Sequence, residues 1–423
     1  MSTGALSSRA RKAVLLAAIG GMIFDGLELG LMPVASLSVS RDLLGPLSTP
    51  ALEGAWFARF TASLMVGAAI GGIVMGSVGD MLGRARTLGL SILLYSLFAG
   101  IGAFVRTQQE MLVLRFVVGL GVGGVWPNAV ALAAECWPDR SRPFVAGLMG
   151  AALNSGILML SQVARTWQIT PESWRWIFKM AAAPALLGLI VLFALPESPM
   201  WLASRRKINE HTNQSGAGDE LGIRAMFRPP LLQLTLIGSL LGSIPMIGAW
   251  AASKWMIPWA DKVGGATHAG YKAITQGWWA IGAVLGSFFG AQIATWLGRR
   301  SAYALFSLGA TVLTLLMFLG TAPFRPSFLP IVFAQGFVAT LFFGWLPLYL
   351  PELFPTRVRA AGSGIAYNIG RFATAIGVFA AGALFTAGGG SYPKVGAACG
   401  LIYALGVIVI WAAPDTTGKK LDD

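Results

Sequence analysis

The stretch from Gly67 to Arg86 reads GAAIGGIVMGSVGDMLGRAR, and it has a counterpart, GAVLGSFFGAQIATWLGRR, that runs from Gly282 to Arg300. The first glycines of the two stretches and the Gly-Arg near their ends recur at an offset of 215 residues. A long internal repeat indicates a duplicated structural unit. The sequence therefore predicts two similar halves.

Two more pairs of motifs keep nearly the same register. ECWPDRSR, from Glu135 to Arg142, corresponds to ELFPTRVR, from Glu352 to Arg359, at an offset of 217 residues. Pro-Glu at 196–197 corresponds to Pro-Asp at 414–415, at an offset of 218 residues. Duplicated bundles of membrane helices are typical of transporters, because two halves that rock around a central site give alternating access.

The composition is that of a membrane protein. Of the 423 residues, 55% are hydrophobic and 12% are charged, whereas a soluble domain carries about 25% charged residues. Nearly all the apolar runs exceed the ~20 residues that cross a ~30 Å hydrocarbon core, which predicts helices and not the ~10-residue alternating strands of a β-barrel. The twelve predicted spans are 14–38, 54–78, 87–105, 110–134, 143–165, 174–195, 231–258, 273–297, 301–321, 327–350, 361–386 and 395–413.

The basic residues set the predicted orientation. The net charge is +13, and 18 of the 31 lysines and arginines lie before the first span or after an even-numbered span. Because cytoplasmic loops are enriched in Lys and Arg, both termini are predicted to be cytoplasmic. The positive charge is thus an orientation signal and gives no reason to expect nucleic-acid binding. We expect a multi-pass protein of a bacterial inner membrane.

The predicted organisation is all-α and has three parts. Residues 1–199 form an N-terminal six-helix bundle, 200–230 form a cytoplasmic linker, and 231–423 form a C-terminal six-helix bundle. The two cysteines lie in unrelated contexts and the two histidines lack metal-ligand spacing, so no disulfide, metal or cofactor is expected. The expected partners of this monomer are a small-molecule substrate, protons and the lipid bilayer.

Several motifs carry a family resemblance. GSVGDMLGRAR, from Gly76 to Arg86, resembles the G-x-x-x-D-x-x-G-R-[RK] loop of the major facilitator superfamily. RFVVGLG from Arg115, PESPMWL from Pro196 and PELFPTR from Pro351 are also similar to segments of that family. The resemblance covers essentially the whole chain. It implies twelve transmembrane helices in two pseudo-symmetric six-helix bundles.

Two shorter elements suggest a branch of the family. DGLE, from Asp25 to Glu28, and YNIGR, from Tyr367 to Arg371, resemble elements of the aromatic-acid, metabolite and sialate proton symporters. This narrower resemblance implies a secondary transporter coupled to protons. In the second half, Thr295 stands where the loop motif has its aspartate.

Charged side chains inside the spans are candidate coupling groups. A charge at the bilayer centre costs about 3 kcal/mol, so it must face protein or water. Asp25 and Glu28 lie three residues apart on one helical face, which predicts a carboxylate pair that shares a proton. The alternative is that one of them pairs with a buried arginine and only fixes packing. Arg115 is the predicted partner of Asp25 or Glu28, because the resemblance implies that spans one and four share a cavity wall.

Other residues within the spans are candidate substrate contacts. A guanidinium at the depth of Arg371 needs an acid or an anionic substrate, and its planar fork suits a carboxylate. Lys254 is a second candidate, although its side chain has the alternative of extending to the outer interface. Further candidates are Asn368, Trp126, Asn128, Asn154, Gln276 and Trp345.

Charges at the inner ends of the spans are predicted to form a cytoplasmic gate. Ion pairs between the halves close this side and break when it opens; the alternative is that these charges only set the orientation. The predicted gate residues are Asp80, Arg84, Glu135, Arg140, Glu197, Arg299, Glu352 and Arg357.

The repeated glycine pairs permit close helix contacts. Gly67 and Gly71, like Gly282 and Gly286, are spaced so that two backbones can approach. We interpret both pairs as sliding surfaces between the halves; ordinary tight packing is the alternative.

Together these features predict a proton-coupled secondary transporter that imports a small organic anion, a carboxylate or an acidic sugar, by alternating access. One alternative is a uniporter or exporter of a neutral sugar or drug-like solute, favoured if Arg371 is permanently paired. Another is a membrane receptor that keeps the fold without transport. The chain has neither H-E-x-x-H nor G-x-S-x-G, so an enzyme is disfavoured.

Overall fold

The structure, a computed structural model, describes residues 6–136, 142–203, 226–355 and 358–418. Within these ranges there are helices and no strands. Twelve helical spans, α1 to α12, are long and apolar enough to cross a membrane, which confirms the predicted number. Their bounds are Ser8–Leu47, Pro50–Leu82, Arg84–Phe104, Gln108–Cys136, Phe144–Thr166, Arg175–Ala203, Leu231–Gly264, Tyr271–Leu297, Arg299–Gly320, Phe328–Leu353, Gly362–Ala387 and Tyr392–Ala412.

Several spans extend beyond the apolar runs that predicted them. The first run covers 14–38, whereas the α-helix of α1 covers Ser8–Leu44 and ends in a 3-10 turn, Gly45–Leu47. Hydropathy detects the part of a helix that lies in hydrocarbon, and turns in the headgroup region carry polar residues that it does not count. Of the predicted linker at 200–230, residues 204–225 lie outside the described ranges.

Span α7 is irregular near its middle. Its α-helix Leu231–Ile247 leads into a π-helical turn, Gly248–Ala252, and a 3-10 turn, Ser253–Trp255, before α-helix resumes at Met256–Gly264. Such π-helical turns are frequent at functional sites. This π-helical turn places Trp250 beside a central cavity, and the 3-10 turn after it places Lys254 there.

The sequence repeat corresponds to a repeated turn. Gly83, with φ of +114°, directly follows α2, and Gly298, with φ of +85°, directly follows α8. Only glycine adopts these values without strain. The same sharp turn therefore joins α2 to α3 and α8 to α9.

The two glycine pairs pack helices inside each half, so their interpretation as sliding surfaces between the halves is wrong. A Cβ on Gly67 would lie 2.1 Å from the Phe116 carbonyl oxygen, which places the backbones of α2 and α4 in direct contact. A Cβ on Gly282 would lie 2.1 Å from the Phe333 carbonyl oxygen, and α8 meets α10 in the same way. Small residues allow this close approach because they add no side-chain layer.

Spans α1–α6 and α7–α12 meet mainly through α2 on α11 and α5 on α8. Near the outer end, a Cβ on Gly54 would lie 2.1 Å from the ring of Phe385. On the α5 side, a Cβ on Gly147 would lie 2.6 Å from the Phe288 carbonyl oxygen. At Gly54 the backbone of one half therefore meets a side-chain ring of the other, and at Gly147 the two backbones meet directly.

The outer side of this interface is closed. From the start of α8, the buried Lys272 ammonium donates to the Ile169 carbonyl at 2.9 Å and to the Ser38 hydroxyl at 3.2 Å, both in the first half. Toward the cytoplasm, a Cβ on Gly76 of α2 or on Gly364 of α11 would meet no atom within 4 Å. The structure is thus closed to the outside and looser at the inner ends of α2 and α11.

Candidate functional site

A cavity of about 100 Å³ lies between the two halves. Its wall comes from α1, α2, α4 and α5 of the first half and from α7, α8, α10 and α11 of the second. Aliphatic side chains form much of this wall. The charged, polar and aromatic residues in it are Asp25, Trp126, Asn154, Trp250, Lys254, Trp279, Phe343, Tyr367, Arg371 and Thr374.

The two carboxylates of α1 have different surroundings. Glu28 is fully buried and forms an ion pair and hydrogen bond with Nη1 of the equally buried Arg115. Asp25 lines the cavity and forms no ion pair among the described residues. The structure therefore selects Glu28 as the partner of Arg115, a choice that the spacing left open. Asp25 is the acid that a substrate in the cavity would meet.

Arg371 reaches from α11 across the interface into the first half. Its Nη1 donates to the carbonyl oxygens of Ala68 at 3.0 Å and Gly123 at 3.2 Å. The guanidinium also interacts electrostatically with Asp25 and lies 5.2 Å from the ring centroid of Tyr367. Gly72 makes this reach possible, because a Cβ there would lie 2.7 Å from Nη1.

Lys254 is buried at the cavity and does not extend to the outer interface. Its side chain is 1% exposed, and its Nζ lies 3.5 Å from the ring centroid of Trp279 and 5.7 Å from that of Trp250. Within the described part of the chain, this ammonium has no hydrogen-bond acceptor and no ion-pair partner. The 3-10 turn that follows the π-helical turn of α7 thus brings an unpaired amino group, close to two indole rings, to the cavity wall.

The other predicted substrate contacts divide into two groups. Trp126 and Asn154 line the cavity; Trp126 stacks on Tyr367 at 6.5 Å, and Asn154 donates across the interface to the Ser287 hydroxyl at 2.9 Å. The second group lies outside the lining and consists of Asn128, Gln276, Trp345 and Asn368.

Hydrogen bonds away from the cavity hold the side chains of this second group. Asn128 and Asn368 donate to the carbonyls of Gly124 and Gly364, four residues earlier in their own helices. Gln276 donates to the Ser161 hydroxyl, and the buried Trp345 donates to the Arg299 carbonyl and stacks on Tyr349. In this conformation these side chains stabilise helix packing and do not face the cavity.

The predicted gate charges pair inside each half in this structure. Arg84 contacts Asp80 at 2.5 Å and Glu135 at 3.8 Å, and all three belong to the first half. In the second half, Arg299 holds Glu352 with two hydrogen bonds of 2.9 and 3.0 Å. Each of these pairs stays within one half because its partners lie on neighbouring helix ends. Arg140 and Arg357 lie outside the described residues, and the gate role stays a prediction.

Glu197 and Asp415, the last pair of repeated positions, act on equivalent helix starts. Glu197 accepts a hydrogen bond from the Ala85 N–H at the first turn of α3. In the second half, the Thr417 hydroxyl accepts from the Arg299 N–H at 3.0 Å and donates to Asp415 at 2.6 Å. Hydrogen bonds from Thr417 lower the pKa of Asp415. Both halves thus satisfy a free helix-start N–H with an acid-based cap.

The sequence interpretation missed the charged contact that closes the outer side. Lys272 sits one residue before the predicted start of its span, where hydropathy gives an interfacial lysine no special weight. In the structure it is buried and pairs with Asp261 at 3.2 Å as well as bonding to the first half. The sequence offered one indication of this ion pair, which is that Asp261 and Lys272 flank the same outer loop.

Comparison with known proteins agrees with this architecture. The family model described as Major Facilitator Superfamily matches residues 13–370. The xylose transporter XylE from E. coli, in a partially occluded inward-open conformation, has a similar fold, with a TM-score of 0.72 over 98% of this chain and all of that chain, at 20% identity. That likeness concerns the fold alone.

Relatives with similar sequences are named as transporters. The cis,cis-muconate transport protein of Acinetobacter baylyi is 29% identical over 95% of both chains. The probable 4-methylmuconolactone transporter of Cupriavidus pinatubonensis is 30% identical over 86% of this chain and 82% of its own length. The chain therefore belongs to the Major Facilitator Superfamily and is a transporter, a multi-pass integral protein of the inner membrane.

Proposed function

We propose that this transporter imports a small organic carboxylate together with protons. The observation that carries the proposal is the buried ammonium of Lys254, which faces the cavity without an acceptor or an acid among the described residues. Burying a lone charge is costly, and a substrate carboxylate in the cavity would supply the missing partner. A neutral sugar would leave that charge uncompensated.

The balance of charge around the cavity suggests how protons couple to the substrate. Glu28 and Arg115 neutralise each other, which leaves Asp25, Lys254 and Arg371 as the charged residues of the cavity wall. When Asp25 is ionised, it competes with a substrate carboxylate for Arg371. When Asp25 is protonated, both cations are available to the anion. Proton binding therefore favours substrate binding, which is the thermodynamic requirement for symport.

The aromatic wall supports a flat, unsaturated substrate. Trp126, Trp250, Trp279 and Tyr367 line the cavity, and the ring planes of Trp126 and Tyr367 differ by only 10°. Indole and phenol faces pack well on planar π systems. The relatives named for cis,cis-muconate and 4-methylmuconolactone support the same class. We take an unsaturated or aromatic carboxylate as the substrate class.

Uptake into proteoliposomes tests the proposal. With an inside-alkaline pH gradient, wild-type protein should accumulate labelled cis,cis-muconate above its external concentration, and unlabelled xylose should not compete. Each pH unit supplies about 1.4 kcal/mol, or about tenfold accumulation per proton. Asp25→Asn should abolish accumulation but retain exchange of internal for external substrate. Asp42→Asn is the matched control, because Asp42 pairs with Arg175 on the outer surface.

Three results would overturn parts of the proposal separately. Accumulation by Asp25→Asn at the wild-type rate would remove Asp25 from coupling. Substrate uptake that ignores the pH gradient would indicate a uniporter. Competition by xylose but not by carboxylates would support the alternative of a neutral solute.

A further inference from the structure

A second, larger cavity opens on the outside of the helix bundle. It has a volume of about 620 Å³ and lies between α2 and α4 of the first half and α11 of the second. Its apolar lining includes Val66, Phe372, Ile376 and Phe379. Ile376 is 71% exposed and Phe379 is 61% exposed, so this groove faces the lipid and is separate from the substrate cavity. One charged residue, Arg59, stands in its wall.

The position of Arg59 along α2 places it near the outer boundary of the hydrocarbon. The helix Pro50–Leu82 has 33 residues, which is about 50 Å at 1.5 Å per residue. A ~30 Å core leaves about 10 Å of such a helix outside at each end. Arg59 follows Pro50 by nine residues, or about 14 Å. The Arg59 Cα therefore lies about 4 Å inside the hydrocarbon, and its long side chain extends from there toward the lipid phosphates.

Arg59 has no acidic partner in the part of the chain that the structure describes. Its guanidinium is exposed and lies 4.7 Å from the ring centroid of Trp56, and it forms no ion pair with any described residue. A guanidinium stays charged and its fork fits a phosphate. A stacked tryptophan at this depth also belongs to the interfacial belt that contacts lipid headgroups.

The geometry points to a binding site for a phospholipid of the outer leaflet. The lipid phosphate lies on Arg59, and one acyl chain follows the apolar groove toward Val66 and Phe372. The groove alone would admit any apolar chain. Arg59 at its outer end favours a ligand that carries an anionic group next to such a chain. A phospholipid meets both conditions. The walls of the groove come from both halves, so the bound lipid contacts α2 and α11 together.

Native mass spectrometry of the detergent-purified protein tests this assignment. The probes are a phosphatidylglycerol and a diacylglycerol with the same acyl chains, each titrated against wild type, Arg59→Gln and Arg325→Gln. Arg325 is an exposed arginine outside this groove and serves as the matched control. We expect Arg59→Gln to raise the dissociation constant for phosphatidylglycerol about tenfold, because it removes a charge-assisted hydrogen bond. Arg325→Gln should bind like wild type, and diacylglycerol should bind weakly to all three.

A second variant tests the acyl-chain part of the site. Ile376→Trp fills the groove from its exposed side and leaves Arg59 intact, and it should also lower phosphatidylglycerol binding. Equal retention of phosphatidylglycerol by wild type and Arg59→Gln would overturn the proposal. So would diacylglycerol binding as tight as that of phosphatidylglycerol, which indicates an apolar ligand only. Displacement of the lipid by millimolar inorganic phosphate would assign Arg59 to a soluble anion instead.

Discussion

The ammonium of Lys254 lies 3.5 Å from the centre of the Trp279 ring, in the wall of the central cavity. A cation–π contact of this kind contributes about 2 kcal/mol when desolvated. It therefore offsets only part of the several kcal/mol that an ammonium loses when it leaves water. In the proposed function, a substrate carboxylate supplies the stabilisation that is still missing.

Replacing Lys254 with methionine should weaken anion binding and leave the fold intact. Methionine has a similar length and no charge, so it removes the cation without opening a void. We expect the affinity for cis,cis-muconate to fall about 10- to 100-fold, because a hydrogen bond to a charged group contributes about 1.5–3 kcal/mol. Isothermal titration calorimetry measures the affinity for cis,cis-muconate. The control is Lys262→Met, since Lys262 lies on the same span with an exposed side chain. An unchanged affinity in Lys254→Met would show that Lys254 does not bind the substrate carboxylate.

Two glycines one helical turn apart in α2 allow a test of how tightly α2 packs on α11. A methyl group at Gly72 would lie 2.5 Å from Asn368 Oδ1 and 2.7 Å from Arg371 Nη1, whereas one at Gly76 would meet nothing within 4 Å. Gly72→Ala should therefore destabilise this conformation by about 1–3 kcal/mol, the usual cost of overpacking. Initial uptake rates and thermal stability in detergent are the measurements. Gly76→Ala should match wild type in both; similar losses in the two variants would show that the effect is one of helix flexibility.

Lys272 should control the outer closure. Lys272→Met removes the hydrogen bonds to Ser38 and Ile169 and should shift the population toward an outward-open state. Spin labels on the outer ends of α1 and α7, read by pulsed electron resonance, should report longer distances. Lys394→Met is the control, because Lys394 is exposed near the outer end of α12.

The substitution also leaves the buried Asp261 without its partner. The double variant Lys272→Met with Asp261→Asn removes that charge and still lacks the contacts between the halves. It should show the same longer distances as the single variant. If the double variant returns to wild-type distances, the unpaired aspartate and not the lost contacts caused the opening.

The two acids of α1 should differ in their effect on stability. Glu28→Gln leaves the Arg115 guanidinium buried without a counter-charge, which costs about 3–5 kcal/mol. Asp25→Asn breaks no ion pair among the described residues and should destabilise the protein less. Thermal unfolding in detergent compares them, and Glu28→Gln combined with Arg115→Gln should recover part of the loss. Equal destabilisation by the two single variants would contradict this division of roles.

The sequence by itself determined the twelve spans, the fold and the repeated loop geometry. A span is recognised from length and apolar composition because insertion into a bilayer depends on those local properties. Gly83 and Gly298 could be matched in sequence because only glycine adopts the positive φ that their turns require. The cluster of charged residues within the spans also identified Asp25 and Arg371 as candidates.

The tertiary structure decided which of those charges meet. Spacing allowed Arg115 to pair with either acid of α1, and the packing of α4 on α1 selected Glu28. Packing also placed Lys254 at the cavity, kept the ion pairs of the described inner helix ends, such as Arg299 with Glu352, within one half, and placed Lys272 in the outer closure. Ion pairs and hydrogen bonds need contacts of about 3 Å. The rotation and separation of neighbouring helices set such distances, and these depend on how remote side chains pack, which spacing along one helix does not encode.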